Sequence, residues 1–314
     1  MNRDPLTHTP VLCDTVIELF TQHPADIIVD GTVGLGGHAS ALLAALARAR
    51  VIGVDQDAAA LAEAGRRLGR FGDRVTLVHG NVRTLSQHLD ALGIDEVGGL
   101  LLDVGVSSLQ LNDAARGFSF RADGPLDMRM DQRQATSASA WLATATEEDI
   151  GRALREFGEE RHWRRIARAI VAARETRPLE TTGQLRAIIH RAVPSAYFRQ
   201  RIDPATRTFQ AVRLAVNDEL AALEDTLAGG WTRLAVGGLL VVISFHSLED
   251  RIVKHFMREK TATCTCPPGL PECVCGKRVE AEVLTKKPIV PTPSEVDGNP
   301  RARSAKLRAC LRVV

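Results

Sequence analysis

The run Asp30-Gly31-Thr32-Val33-Gly34-Leu35-Gly36-Gly37-His38 constrains this chain more than any other stretch. It follows the apolar run Ile27-Ile28-Val29, which reads as a buried strand, and precedes Ala39 to Ala49, which reads as a helix. A glycine turn between strand and helix brings backbone N–H groups close to a ligand and points them at it. Such a turn makes a nucleotide site, and the rest of the chain must say which nucleotide.

The strands that follow repeat the logic. Val51 to Asp55 reads as a second strand, Arg74 to Val78 as a third and Val97 to Asp103 as a fourth, with the alanine-rich helix Ala58–Leu68 between the second and third. Short apolar strands alternating with helices predict a parallel sheet covered on both faces. Asp55 ends its strand 25 residues after Asp30, where an acid meets ribose hydroxyls in a nucleotide-binding βαβ unit. The third strand leads into His79-Gly80-Asn81-Val82 and the fourth into Asp103-Val104-Gly105. Four strand ends carrying polar residues or glycine would share the carboxyl edge of the sheet, where ligands bind.

From Asp113 to Ala205 the strand pattern stops. Glu147–Phe157, Arg161–Arg174 and Thr182–Val193 read as amphipathic helices. Phe209–Ala228 reads as one further helix, Gly238–Phe245 as a fifth strand and Ser247–Arg258 as a helix. Glu280–Thr285 and Leu307–Val313 would close the sheet as a hairpin-like pair. The expected organisation is an α/β domain of residues 1–112 and 206–314, interrupted by a helical domain of residues 113–205.

Composition sets the class. With 314 residues, 45% hydrophobic and 25% charged, the chain has the make-up of a soluble globular protein of about two domains. The net charge of +2 says little about partners. No apolar run approaches the ~20 residues of a membrane span. Met1 to Pro5 lacks the apolar stretch of a signal peptide, so the expected location is the cytoplasm, with no membrane partner. A P-loop is excluded because no Gly-Lys-Ser/Thr follows the glycines. A nicotinamide-dependent oxidoreductase is the rival reading; against it, the spacing Gly31-x-x-Gly34-x-Gly36-Gly37 departs from the G-x-G-x-x-G of dinucleotide sites.

Longer strings carry a resemblance. They are His8-Thr9-Pro10-Val11-Leu12, Asp30 to His38, Leu102 to Gln110, Arg116-Gly117-Phe118-Ser119-Phe120 and Gly124 to Met130. Thr206 to Arg213, Ile243 to Arg251 and Asn299 to Ser304 complete the set, in order along nearly the whole chain. Together they resemble the small-subunit rRNA methyltransferase H family, also called MraW. The resemblance implies a Rossmann-like class I methyltransferase sheet with an inserted helical substrate domain. It implies S-adenosyl-L-methionine as cofactor and 16S rRNA as partner, presented within the small ribosomal subunit; a non-catalytic RNA-binding assembly factor on the same sheet is a second rival reading. The implied product is a methyl group on N4 of cytosine 1402 in the decoding region of that RNA.

The same resemblance assigns the cofactor to Gly36, Gly37, His38, Asp55, Val82, Asp103 and Gln110. Val82 departs from an aromatic residue usual in the family; valine can cover an adenine face but loses most of the stacking. For the chemistry, cytosine N4 is a poor nucleophile because its lone pair is delocalised. An acid accepting from N4–H would free that pair. Asp103, Ser107 and His246 are the expected catalytic candidates. The serines Ser107 and Ser108 could equally cap a helix, His246 could start one, and Asp127 reads as a turn residue.

Substrate contacts are expected from the insertion. Residues 113–213 hold 18 arginines, no lysine and 13 acids, a net of +5. Arg161, Arg164, Arg165 and Arg168 share one helical face, and Trp163, Ile166, Ala167, Ile170 and Val171 another, which suits phosphate contact on one side and docking on the other. Glu159 and Glu160 could instead neutralise those arginines. Arg301 and Arg303 are further phosphate candidates. One tyrosine and three tryptophans are too few for stacking to dominate RNA affinity. Cys264-x-Cys266 and Cys273-x-Cys275 are closer-set than usual zinc ligands, so the expectation is a thiol-bearing loop or a redox bridge and no metal. Cys13 and Cys310 read as small buried apolar residues.

Overall fold

A computed structural model describes residues 10–199, 202–264, 266 and 274–314. His8, Thr9 and Cys273 of the strings above lie outside the described residues. The chain divides into two compact units, residues 1–105 with 220–314, and residues 106–219. No described helix is long and apolar enough to cross a membrane.

The first unit is built on seven strands: β1 (Ile27–Asp30), β2 (Arg50–Asp55), β3 (Val75–His79), β4 (Val97–Asp103), β5 (Leu234–Ser244), β6 (Ala281–Val283) and β7 (Lys306–Arg312). Their order is β3-β2-β1-β4-β5-β7-β6. The first five run parallel, while β7 is antiparallel to β5 and β6 antiparallel to β7. The order reverses between β1 and β4, the crevice at which Rossmann-like sheets bind nucleotides. The expected Rossmann-like α/β fold is therefore present, and the last two strands do form a hairpin-like pair.

Both faces of the sheet are covered, which explains the unbroken apolar strands. Ile28, Val51, Leu101, Val241 and Ile243 point into one core with the Cys13–Gln22, Gly37–Ala45 and Ala58–Leu68 helices. Val29, Ile52, Val54, Leu100, Leu102 and Val242 point into the other with the Leu85–Ala91, Glu219–Arg233 and Ser247–Lys260 helices. Each fully buried leucine contributes about 1.5–3 kcal/mol by leaving water.

Three boundaries differ from the sequence expectation. The helix after the glycine turn is Gly37–Ala45, not Ala39–Ala49. It stops early because Arg74 collects its last carbonyls, donating to Leu43 O at 2.9 Å and Leu46 O at 3.0 Å. β5 starts at Leu234, with five residues spanning the two-residue interval Val97–Gly99 on β4. The expected single helix Phe209–Ala228 is two, Ala205–Asn217 and Glu219–Arg233, broken at Asp218 with φ 49°.

The second unit holds the Ser108–Asn112, Ala138–Thr144, Glu147–Glu156, Trp163–Thr176, Thr182–Ala192 and Ala205–Asn217 helices and, among the described residues, no strand. Its core includes Leu142, Ile150, Leu154, Ile166, Ile170, Leu185 and Ile189, joined by Phe209 and Val212 from the Ala205–Asn217 helix. That helix belongs to this core, so the unit runs from Val106 to Glu219 where the sequence suggested residues 113–205. Buried Asn217 clamps an irregular segment, accepting from Met130 N at 2.8 Å and donating to Met128 O at 2.8 Å.

Candidate functional site

Three acids end neighbouring parallel strands of the first unit: Asp30 on β1, Asp55 on β2 and Asp103 on β4. The glycine turn is tied to this edge by backbone bonds. Gly31 N donates to Leu101 O at 2.9 Å and Val33 N to Val54 O at 3.0 Å. Thr32 Oγ1 accepts from Asp103 N at 2.6 Å, which locks the turn onto the end of β4. A Cβ on Gly31 would lie 2.7 Å from side-chain methyls of both Val82 and Leu102, so any larger residue there would force them to shift. Gly36 has φ 75° and immediately precedes the helix, a conformation that a side chain would strain.

Asp55 is held by backbone donors. Gly34 N donates to Oδ2 at 2.8 Å and Asp57 N to Oδ1 at 2.9 Å. Burial pushes its carboxyl up to about 6, against the pull of those N–H groups. Its two oxygens offer about four acceptor sites, more than these N–H groups use, as a bidentate hydroxyl acceptor needs.

Asp30 and His38 are buried, with 2% and 6% of their surfaces exposed. Burial raises Asp30 to about 7, although His38 pulls the other way. His38 Nε2 stands 3.4 Å from Asp103 Oδ2, at ion-pair range without hydrogen-bond alignment. Burial alone would lower the imidazole; Asp103, with Cys13 and Asp30, reverses that and raises it to about 10. A buried imidazolium therefore sits beside Asp103. Asp103 Oδ1 is also buried and has no hydrogen-bond partner.

At the end of β3, Asn81 Nδ2 donates to Gln56 Oε1 at 3.0 Å, and His79 Nε2 lies 3.2 Å from Gln56 O. Val82 opens the turn Val82–Thr84 and is only partly buried, packed on the floor beneath Gly31. At the end of β5, His246 caps the Ser247–Lys260 helix. Its Nδ1 accepts from Glu249 N at 3.4 Å, and Glu249 Oε2 accepts from Phe245 N at 2.8 Å. That cap puts the imidazole proton on Nε2, 2.9 Å from Glu249 Oε1.

Ser107 and Gln110 lie in the second unit and form a capping box. Ser107 Oγ accepts from Gln110 N at 3.2 Å, while Gln110 Oε1 accepts from Ser107 N at 2.9 Å. Asp127 is a turn residue paired with Arg129 at 2.7 Å. On the Trp163–Thr176 helix, Ile166, Ala167 and Ile170 enter the unit's own core, and Arg161, Arg164, Arg165 and Arg168 are exposed. Arg164 stacks over Trp163 at 4.1 Å. Glu160 does not neutralise that face: it is buried and accepts from the Tyr197 hydroxyl at 2.9 Å. Arg301 and Arg303 are exposed in the first unit, in the turn Pro300–Ser304. Cys310 is buried in β7, whereas Cys13 is half-buried. Cys264, Cys266 and Cys275 have their sulfurs within 4.8 Å of one another.

The structure thus gathers Gly36, Gly37, His38, Asp55, Val82 and Asp103 on or beside one edge of the first unit. Thr32, Gln56 and Glu249 also shape that edge and were not singled out from the sequence. Only Glu249 had a signal, three residues after His246, and a histidine in place of the usual serine or threonine cap hid it.

A model of the MraW methylase family matches residues 5–313. The chain is 53% identical over 308 residues to a ribosomal RNA small subunit methyltransferase H of Heliobacterium modesticaldum, covering 98% of each chain. It is 48% identical over 314 residues to the protein of the same name from Syntrophotalea carbinolica, covering 100% of each. A solved rRNA methylase from Streptococcus thermophilus aligns over 100% of this chain and 99% of its own, with a TM-score of 0.43 and 10% identity.

Proposed function

This chain belongs to the MraW methylase family, and from that premise we propose that it methylates N4 of cytosine 1402 in the decoding region of 16S rRNA, presented in the small ribosomal subunit. S-adenosylmethionine is the expected cofactor, and it supplies a methyl group already activated on a sulfonium. The observation that carries the reading is Asp55, an acid fixed by Gly34 N and Asp57 N at the end of β2, beside a glycine turn in a sheet of this order.

Each residue at the edge has a part. Asp55 accepts from the two ribose hydroxyls. Gly36 and Gly37 allow the methionyl part to approach the backbone, and Val82 covers an adenine face by apolar contact. Asp103 has an atom free to react, because its buried Oδ1 lacks a donor, whereas Nε2 of His246 faces Glu249 Oε1 at 2.9 Å. The imidazolium of His38 stands 3.4 Å from the other Asp103 oxygen, Oδ2. A carboxyl acceptor bonded to cytosine N4–H would localise the nitrogen lone pair and aim it at the methyl carbon. The proton then leaves N4 for solvent, and no covalent enzyme intermediate forms. Ser107 and His246 serve as helix caps that position their segments. The target base must be unstacked to reach the methyl.

The test is mass mapping of 16S rRNA from cells that carry the chain, lack it, or carry Asp103→Asn. The expected outcome is one methyl at cytosine N4 with the wild-type chain, none without it and a strongly reduced fraction with Asp103→Asn. An unchanged methyl in cells lacking the chain contradicts the assignment.

A further inference from the structure

The loop between the Ser247–Lys260 helix and β6 brings together three cysteines that the proposed chemistry does not use. The sulfurs of Cys264, Cys266 and Cys275 all lie within 4.8 Å of one another. Cys264 Sγ and Cys275 Sγ are 3.8 Å apart. A tetrahedral zinc with Zn–S bonds of about 2.3 Å places its sulfurs roughly 3.8 Å apart. A disulfide needs about 2.05 Å, so the spacing is that of co-ligands and not of a bond.

Backbone donors also point at the sulfurs. Cys266 N donates to Cys264 Sγ at 3.3 Å, and Val274 N donates to Cys266 Sγ at 3.4 Å. Such bonds hold a sulfur in place, as hydrogen bonds to metal ligands do. The base of the loop is closed separately. Glu280 Oε2 accepts from Lys260 Nζ at 2.7 Å, and Glu280 N donates to Lys260 O at 2.8 Å. The two stems are therefore held side by side, and the cysteines stand beyond that clamp.

We propose that Cys264, Cys266 and Cys275 are ligands of a structural Zn²⁺ that staples this loop. Each thiol gives its proton to solvent as its Zn–S bond forms, so no oxidant or reductant is required. The close C-x-C spacing is accommodated because Cys275, distant in sequence, returns to face Cys264. Cys273 lies outside the described residues, and the site rests on the other three.

Cobalt(II) titration of the full-length chain, metal-stripped and kept reduced with a phosphine, tests the proposal. One equivalent of cobalt should give a thiolate-to-cobalt charge-transfer band and the visible bands of a tetrahedral ion, both erased by one equivalent of zinc. Cys264→Ser, Cys266→Ser and Cys275→Ser should each weaken cobalt binding at least 100-fold while leaving the circular dichroism of the α/β unit unchanged. Cys310→Ala, removing a buried thiol that burial pushes up to about 12, should bind cobalt as wild type does. Absence of the charge-transfer band in the reduced wild-type chain would overturn the proposal. So would wild-type cobalt affinity in all three serine variants, or an intact mass showing these cysteines paired as a disulfide in the chain purified without oxidant.

Discussion

Asp55 shows how one residue can serve both fold and ligand. Its oxygens already accept from Gly34 N and Asp57 N, and a ribose would take the remaining lone pairs. Hydrogen bonds to a charged acceptor contribute about 1.5–3 kcal/mol, so Asp55→Asn should weaken S-adenosylmethionine binding roughly 10- to 100-fold. Burial raises Asp55 to about 6, so the acceptor is lost to protonation as pH falls through that value. Affinity measured by calorimetry should therefore decline from pH 7 to pH 5, and a flat profile would separate Asp55 from the ligand. His38 gives the opposite experiment. Its folded value, about 10, lies above the unfolded value of 6.5. Its stabilising contribution is complete below pH 6.5 and disappears as pH rises toward 10. The melting temperature of the wild-type chain should fall over that interval, and that of His38→Gln should start lower and fall less. The glycines and acids of this edge were legible because motif spacing encodes strand ends. The ion pair of His38 with Asp103 was not, since 65 residues separate the two and no local pattern links them.

Helix ends in this chain are decided by distant side chains as much as by local propensity. Arg74, beyond the next strand and helix, receives the carbonyls of Leu43 and Leu46. Arg74→Ala should leave those carbonyls without their donor and cost about 1–2 kcal/mol, read as a lower melting temperature. That contact explains why periodicity alone carried the helix on to Ala49. The break at Asp218 was illegible for a related reason: an alanine-rich run continues through it, and left-handed backbone at an aspartate leaves little trace in sequence. The Trp163–Thr176 helix was read well, because burial of Ile166, Ala167 and Ile170 opposite exposed arginines is a 3.6-residue pattern. Charge reversal at Arg164 and Arg165 should weaken binding of 16S rRNA and reduce the slope of log affinity against log salt by about 2. Unchanged affinity and slope would remove that face from RNA contact.

At the scale of the whole molecule, strand–helix alternation made the parallel sheet legible, and the loss of alternation after Asp103 made the insertion legible. The edges of the insertion were harder. The Ala205–Asn217 helix continues smoothly toward β5 in sequence, yet its Phe209 and Val212 are buried in the second unit's core. Membership of a core is a tertiary property that local pattern does not report. The chemistry assigned to the first unit depends on its carboxyl edge recognising one cofactor. Calorimetric titration of the full-length chain and its Asp55→Asn variant with S-adenosylmethionine and with NAD tests that most directly. The account predicts saturable binding of S-adenosylmethionine, roughly 10- to 100-fold weaker in Asp55→Asn, and no heat with NAD. Equal affinity of both chains for S-adenosylmethionine, or binding of NAD in its place, would contradict it.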